Sequence, residues 1–234
     1  MRVRDLLGIS PRQQRRLARL LEASLVGMFF IGLYLGRVGI VINAGIGVVV
    51  TQLVPLLERD YGIPMDPALT LWITGAVFLH GLGTIPLPAE WVSLLGPVPA
   101  GQDRITLYSS GGVWDHLTHT FSASVVAAVG YATTRALDEH TEEIHIPPRL
   151  LFVFVVQFVI AFGVLWEVLE FAIGGVSSTL GSGTILTQYG IEDTMADLMF
   201  DIAGAIVVGV WGTAHLTDVV GALQERLAER AARD

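Results

Sequence analysis

The sequence contains no cysteine, which excludes disulfide bonds and thiolate metal sites. It also contains no lysine, so all 14 basic residues are arginine, and 22 acidic residues give a net charge of −8. An acidic balance of this kind argues against nucleic acid as a partner.

Charged residues are scarce, at 15% of the chain, whereas a soluble domain has about 25%. Hydrophobic residues make up 52%, the mean hydropathy is +0.60, and several apolar runs reach the length of about 17–25 residues that spans a bilayer. The pattern predicts an all-α, polytopic bundle of membrane helices rather than a very apolar soluble protein. A basic stretch precedes the first apolar run, as in a signal peptide, but no small-residue cleavage site follows. We therefore expect this segment to stay as a membrane anchor.

The apolar runs predict six transmembrane helices in a single domain over residues 20–218. A basic cytoplasmic N-terminus (1–19) precedes this domain, and a cytoplasmic tail (219–234) follows it. The third span has a clear start, because Asp66 and Pro67 are typical of an N-cap and a first helical position. The expected spans cover about residues 20–36, 38–57, 66 to the stretch 80–88, 115–137, 147–175 and 193–216.

The placement of arginine predicts the orientation in the cell membrane. With the N-terminus inside, twelve arginines fall in inner segments, and only Arg37 and Arg104 fall in outer ones. An even number of spans then places both termini in the cytoplasm. Trp91 and Trp114 are expected near the outer interface, and Trp72 and Trp211 near the inner one.

Three of the predicted spans carry ionisable residues whose spacing places each set on one helix face, toward the outer side. The sets are His116 and His119, then Glu167 and Glu170, then Asp193, Asp197 and Asp201. Ionisable residues inside membrane spans are costly and face a bundle interior or a cavity. Such faces are typical of metal sites built from inward-pointing carboxylates and histidines.

Charge neutrality indicates what this cluster binds. Carboxyls brought together in a dry site cannot all stay ionised, and the outer arginines lie in loops. Either protons or a cation therefore neutralise the carboxyls. Histidine beside carboxylate favours a divalent ion such as zinc or manganese, because calcium and magnesium prefer oxygen ligands alone. The alternatives are a protonated or ion-conducting network and a cluster of polar side chains with a purely structural role.

We assign expected roles to the individual residues. The predicted metal ligands are His116, His119, Glu167 and Asp201, with Glu170 and Asp197 as candidate general bases. Supporting residues around the metal are His80, Asp115, Ser122 and Asp193. The alternatives are that Asp115 and Asp193 are N-caps, that His80 and His116 are wetted interfacial residues, and that Ser122 bonds its own helix.

Four segments carry a resemblance to a known family. "HGLG", "WDHLTHTFSASVVAAVGYATTRALDEH", "GVLWEVLEF" and "YGIEDTMADLMFDIAGA" resemble, in this order over roughly residues 50–210, the YjdF-like family of uncharacterised prokaryotic membrane proteins. The family's motifs correspond here to Asp115 and His119, to Trp166, Glu167 and Glu170, and to Asp193, Thr194, Asp197 and Gly204. A more distant similarity is to the VanZ-like family, whose arginine-bearing stretch before the final aspartate is missing here. The resemblance implies the architecture and the shared polar residues, but no reaction.

Composition adds an expectation about origin. An acidic chain without lysine resembles proteins of salt-loving archaea with GC-rich genomes, and codon bias alone is the alternative. The sequence therefore predicts a haloarchaeal protein.

Three hypotheses of function follow. The first is a divalent-metal-dependent hydrolase or transferase that acts on a lipid-type substrate from the outer leaflet, with membrane lipids as partners. The second is a proton- or cation-coupled transporter, although such a site usually lies near the midplane. The third is a structural membrane subunit, with homo-oligomers as a further expectation, because the glycines of the first two spans permit close helix packing.

Overall fold

A computed structural model describes residues 9–110, 112–140, 145–179, 190–209 and 213–232. Within these ranges the chain is mostly helical, as predicted. The helices are α1 (Pro11–Leu35), α2 (Val38–Tyr61), α3 (Pro67–Gly83), α4 (Ala89–Val92), α5 (Val113–His140), α6 (Pro148–Thr179), α7 (Ile191–Val207) and α8 (Thr213–Ala231). The expectations for Trp211, for three of the twelve inner arginines (Arg2, Arg4 and Arg233) and for most of the loop after α6 fall outside the described residues.

Local sequence signals explain where the first helices begin and end. Ser10 and Gln13 form a capping box at the start of α1, and Gly36, with φ of 62°, ends it in the left-handed conformation. The next helix begins at Val38, so α1 and α2 form a hairpin. Asp66 is the N-cap of α3, as predicted, and its Oδ1 accepts a hydrogen bond of 2.7 Å from the backbone N–H of Leu69.

Three helices are long and apolar enough to cross a membrane, namely Pro11–Leu35, Val38–Tyr61 and Pro148–Val176. The shorter α3, with 17 residues, is also apolar. Of the helices outside this set, α5 carries Asp115, His116 and His119, and α7 carries Asp193, Asp197 and Asp201. The finding supports a protein with several membrane spans without confirming six of them.

The last predicted span, over 193–216, includes residues 210–212, which lie outside the described part of the chain, so it stays a prediction. On its two sides, α7 ends at Val207 and α8 begins at Thr213. The predicted tail (219–234) is largely part of α8, because Val220, Leu223 and Leu227 recur at helical spacing. They pack against Ala132 and Ala136 of α5.

The helices form two groups that meet at α3 and α5. In the first group, α1, α2 and α3 pack against one another, and in the second α5 packs against α6, α7 and α8. The α5–α7 contact is especially close, since a Cβ added to Gly204 would lie 2.5 Å from the carbonyl oxygen of Thr120. This approach places the polar residues of α5 and α7 side by side.

The segment between α3 and α5 folds over the ends of these two helices. Leu87–Pro88 pairs antiparallel with Arg104–Ile105, and a short apolar core forms around Val92, Ile105 and Leu107. A 3₁₀ turn at Leu107–Ser109 follows. This turn positions Tyr108 against α3.

Candidate metal centre

His119 lies at the centre of the polar cluster, on the face of α5 that packs against α7. Its side chain is 6% exposed, and its Nδ1 lies 3.1 Å from Oδ1 of Asp201. On the other side of the ring, Nε2 lies 3.8 Å from Oδ1 of Asp115 and 4.0 Å from Oδ2 of Asp197. Both ring nitrogens of His119 therefore face carboxylates.

Helix geometry explains this arrangement. Asp115 and His119 are four residues apart on α5, and Asp197 and Asp201 are four residues apart on α7, so each pair shares one helix face. On α6, Gly163 leaves the space that the Asp201 carboxyl occupies, because an added Cβ would collide with Oδ2 of Asp201. Three helices together thus fix the carboxylate that holds the His119 ring.

His116 lies at the edge of the cluster. Its Nε2 is 3.9 Å from Oδ1 of Asp197, and its ring stacks on Phe200 of α7, with centroids 4.2 Å apart and planes at 11°. The His116 side chain is 25% exposed. His116 can therefore reach Asp197 from the more open side.

Two carboxyl oxygens of the cluster are buried without a hydrogen-bond partner among the described residues: Oε1 of Glu167 and Oδ1 of Asp197. The other oxygen of Glu167, Oε2, accepts a hydrogen bond of 2.8 Å from the hydroxyl of Thr194. Leaving such an oxygen unsatisfied costs about 1–3 kcal/mol, and more when it is charged. Buried orphan oxygens of this kind are a sign of a bound ion, water or proton.

Asp115, His119 and Asp197 form a group that can hold a metal ion. Each offers one ligand atom, and these atoms all lie within 4.8 Å of one another. With Nδ1 bonded to Asp201, Nε2 of His119 is the nitrogen that faces Asp115 and Asp197. An ion at Nε2 would complete a carboxylate–histidine–metal arrangement, in which an outer carboxylate fixes the tautomer and the orientation of a ligating imidazole. One imidazole and two carboxylates suit zinc or manganese.

The arrangement differs from the expected roles. Asp201, expected as a ligand, lies at the Nδ1 side of His119, where it orients the ring. Asp115, expected as a supporting residue, and Asp197, expected as a base, instead face Nε2. The spacing of residues along a helix predicts which side chains share a face. It does not predict which imidazole nitrogen each carboxylate of another helix approaches.

The N-cap alternatives for two of the aspartates are wrong. Helix α5 begins at Val113, so Asp115 lies inside its first turn. Helix α7 begins at Ile191 after the N-cap Gly190, so Asp193 also lies within the first turn. An aspartate within the first turn gains from the positive end of the helix dipole.

Three further acids lie around this group. The charges of Asp193 and Glu167 act on both Asp115 and Asp197. Glu170 is also within electrostatic range of Asp115 and Asp197. The carboxyls of α5, α6 and α7 are therefore close enough for their charges to interact. Among the described residues, no arginine forms an ion pair with Asp115, Glu167, Asp197 or Asp201.

His80 and Ser122, predicted as supporting residues, form a separate network beside the metal group. Nδ1 of His80 lies 3.0 Å from the hydroxyl of Tyr108, and its Nε2 lies 2.9 Å from Oγ of Ser122. Burial, helped by the charge of Asp115, raises the pKa of Tyr108, so this phenol stays protonated. Tyr108 could not be predicted as a partner of His80, because it lies 28 residues away in the segment between two helices.

An apolar cavity of about 460 Å³ extends from this polar region into the bundle. His80, His119, Ser122 and Asp201 line its polar end, and aliphatic and aromatic side chains line most of the rest. Of the metal group, His119 lines this apolar space, whereas Asp115 and Asp197 are not among its lining residues.

The fold and the site define a helical membrane protein with a buried histidine–carboxylate cluster. The chain belongs to the family described as "Predicted membrane protein (DUF2238)", whose profile matches residues 17–218. It is also similar to an "Uncharacterized protein" of Thermotoga maritima, with 28% identity over 134 residues. That alignment covers 57% of this chain and 56% of the relative, so the chain spans little more than half of its length. No solved structure matches the chain.

Proposed function

We propose that this protein is a divalent-metal-dependent hydrolase or transferase that acts on a lipid-type substrate. In this proposal Asp115, His119 and Asp197 hold the ion, and Asp201 orients His119. The observation that carries it is the position of the His119 ring. Its Nδ1 is held 3.1 Å from Asp201, while its Nε2 faces two carboxylates, one of which has a buried oxygen without a hydrogen-bond partner.

The chemistry follows from the number of ligands. Three protein ligands leave a coordination position open, and an ion held in this way lowers the pKa of a bound water or polarises a carbonyl or phosphoryl oxygen. Glu170, a carboxyl near the metal group, would accept the proton of that water. His116 would add an imidazole from the edge of the site.

A membrane arrangement and an origin belong to the same proposal. We propose six spans with both termini in the cytoplasm, so that the site lies in the outer leaflet of the cell membrane. The arginine asymmetry of the sequence supports this orientation. We also propose that the chain is YjdF-like and haloarchaeal, on the quoted motifs and on the acidic, lysine-free composition.

Cation- or proton-coupled transport is the second candidate. It is favoured by the excess of buried carboxyls, because the orphan oxygens of Glu167 and Asp197 can bind protons or a passing cation. Ion flux into liposomes that depends on Asp197, without any chemical change in the lipids, would favour transport.

A lipid-turnover assay tests the enzymatic proposal. The purified full chain, reconstituted in vesicles of phosphatidylethanolamine and phosphatidylglycerol, would be incubated with Zn²⁺ or Mn²⁺, and the lipids followed by mass spectrometry. We expect metal-dependent product formation that is lost in Asp197→Asn and kept in Glu192→Gln, whose exposed carboxyl lies in the same first turns of α7. Equal turnover with and without chelator, or no product from either lipid, would contradict the proposal.

A further inference from the structure

The apolar cavity beside the metal group has the shape and the polarity of a site for one hydrocarbon chain. Its volume of about 460 Å³ lies within the range of about 300–1,000 Å³ that is usual for ligand pockets. Along α5 the lining runs from His119 to Val126, which at 1.5 Å per residue is about 10 Å. His80, His119, Ser122, Asp201 and Asn43 are its polar lining residues, whereas Val126, two turns beyond His119 on α5, Val50 and Val159 are aliphatic.

The cavity opens sideways between α2 and α6. These two bilayer-length helices supply eleven of the lining residues, but they are not among the described helix pairs that pack closely. Residues at this gap are both lining and exposed: Ile46 is 53% exposed, Phe162 47% and Leu169 43%. In a membrane, this gap faces the hydrocarbon of the bilayer rather than water.

We propose that this cavity binds the hydrocarbon chain of a single bilayer amphiphile, which enters between α2 and α6 and places its head group at His119 and Ser122. The proposal rests on the proposed metal-dependent function, for which it names the substrate class. A fully apolar occupant would leave the polar end of the cavity without a partner, and a fully polar one would be desolvated against the aliphatic walls. An amphiphile meets both requirements.

The polar end determines which head groups are suitable. Of the proposed metal ligands, His119 alone lines the cavity, and an ion at its Nε2, on the side of Asp115 and Asp197, would attract the phosphate or carboxylate oxygens of a head group at this end. The Ser122 hydroxyl, already bonded to His80, can bond a second oxygen of the same head group. The chain and the head group are therefore recognised by different parts of one continuous space.

Photo-crosslinking with a diazirine-bearing palmitic acid tests the chain site in the full protein, reconstituted in phosphatidylcholine vesicles. We expect adducts on the lining segments 42–50 and 159–173, and we expect excess unlabelled palmitic acid to compete them away. In Ile46→Trp the larger side chain closes the gap, so these adducts should be lost. In Val49→Trp, an exposed position on the same helix outside the cavity lining, they should persist.

Adducts spread evenly over the exposed apolar surface, or adducts that unlabelled palmitic acid does not displace, would overturn the proposal without relying on any variant. The labelling is also measured in Asp197→Asn, which lacks a proposed metal ligand. If labelling persists in this variant although the metal is lost, the site for the hydrocarbon chain is supported whether or not the metal chemistry is correct. If the wild type binds metal but shows no specific labelling, the proposal of a chain site is contradicted and the proposed metal centre is not.

Discussion

At the scale of the residue, the two ring nitrogens of His119 have different partners: one meets an orienting carboxylate, and the other faces the proposed position of the metal ion. One ring nitrogen faces Asp201 and the other faces Asp115 and Asp197, so an ion bound at Nε2 would leave Nδ1–H to donate to Asp201. A neutral imidazole with a fixed lone pair is suited to coordinate a cation. Asp201 then contributes through His119 rather than by direct ligation.

Replacing the orienting carboxylate tests this division. We expect Asp201→Asn to lower the affinity for Zn²⁺ about 10–100-fold, because the amide still bonds Nδ1 but lacks the charge that strengthens the ligand. Asp197→Asn should abolish binding, because it removes a ligand. A titration against a competing chromogenic chelator measures both. Glu192→Gln is the control, and an Asp201→Asn variant as deficient as Asp197→Asn would make Asp201 a ligand instead.

The residues of the site could be predicted from the sequence as a set, and their individual roles could not. The four-residue spacing of Asp197 and Asp201 indicated one helix face, and the structure has both carboxyls on that face beside His119. Which nitrogen each carboxylate meets depends on the crossing of α5 and α7. That crossing is set by the close contact at Gly204, which spacing along one helix does not encode.

At the scale of the element, packing between helices depends on a few positions without side chains. Gly163 of α6 leaves room for Asp201, and Gly204 of α7 allows the backbone of α5 to come close. The start of α3 was predictable, because the N-cap signal of Asp66 and Pro67 is local. The end of α7 at Val207 was not, because apolar residues continue past this point and no proline follows closely.

A glycine substitution tests the contact between α6 and α7. Gly163→Ala should push the Asp201 carboxyl away from His119, which lowers both metal affinity and the thermal unfolding midpoint in detergent. Overpacking of this kind costs about 1–3 kcal/mol. Gly175→Ala on the same helix is the matched control, because nothing lies within 4 Å of an added Cβ there. Equal behaviour of the two variants would contradict the assigned role of Gly163.

At the scale of the whole molecule, two groups of helices meet along α3 and α5 and leave the apolar cavity between them. His119 of the metal group lines this cavity together with His80, which bonds Tyr108 in the segment between α3 and α5. Which side of the membrane this end faces depends on the orientation of the chain. The arginine distribution predicts the outer side.

The absence of cysteine makes the orientation simple to measure, because a single introduced cysteine has no competitor. Gln102→Cys lies in the exposed segment before α5, and Ala232→Cys lies just beyond α8. We expect a membrane-impermeant maleimide to label Gln102→Cys in intact cells and Ala232→Cys only after lysis. Labelling of both positions in intact cells, or of Ala232→Cys alone, would contradict the proposed topology.

The metal content of the purified protein tests the central claim most directly. Elemental analysis of the wild-type chain in detergent, loaded with Zn²⁺ or Mn²⁺ and passed through a desalting column, is compared with the same analysis of Asp197→Asn and Glu192→Gln. We expect a stoichiometric amount of metal in the wild type and in Glu192→Gln, and none in Asp197→Asn. A wild-type protein without metal, or an Asp197→Asn variant with as much metal as the wild type, would contradict the assignment of Asp115, His119 and Asp197 as a metal centre.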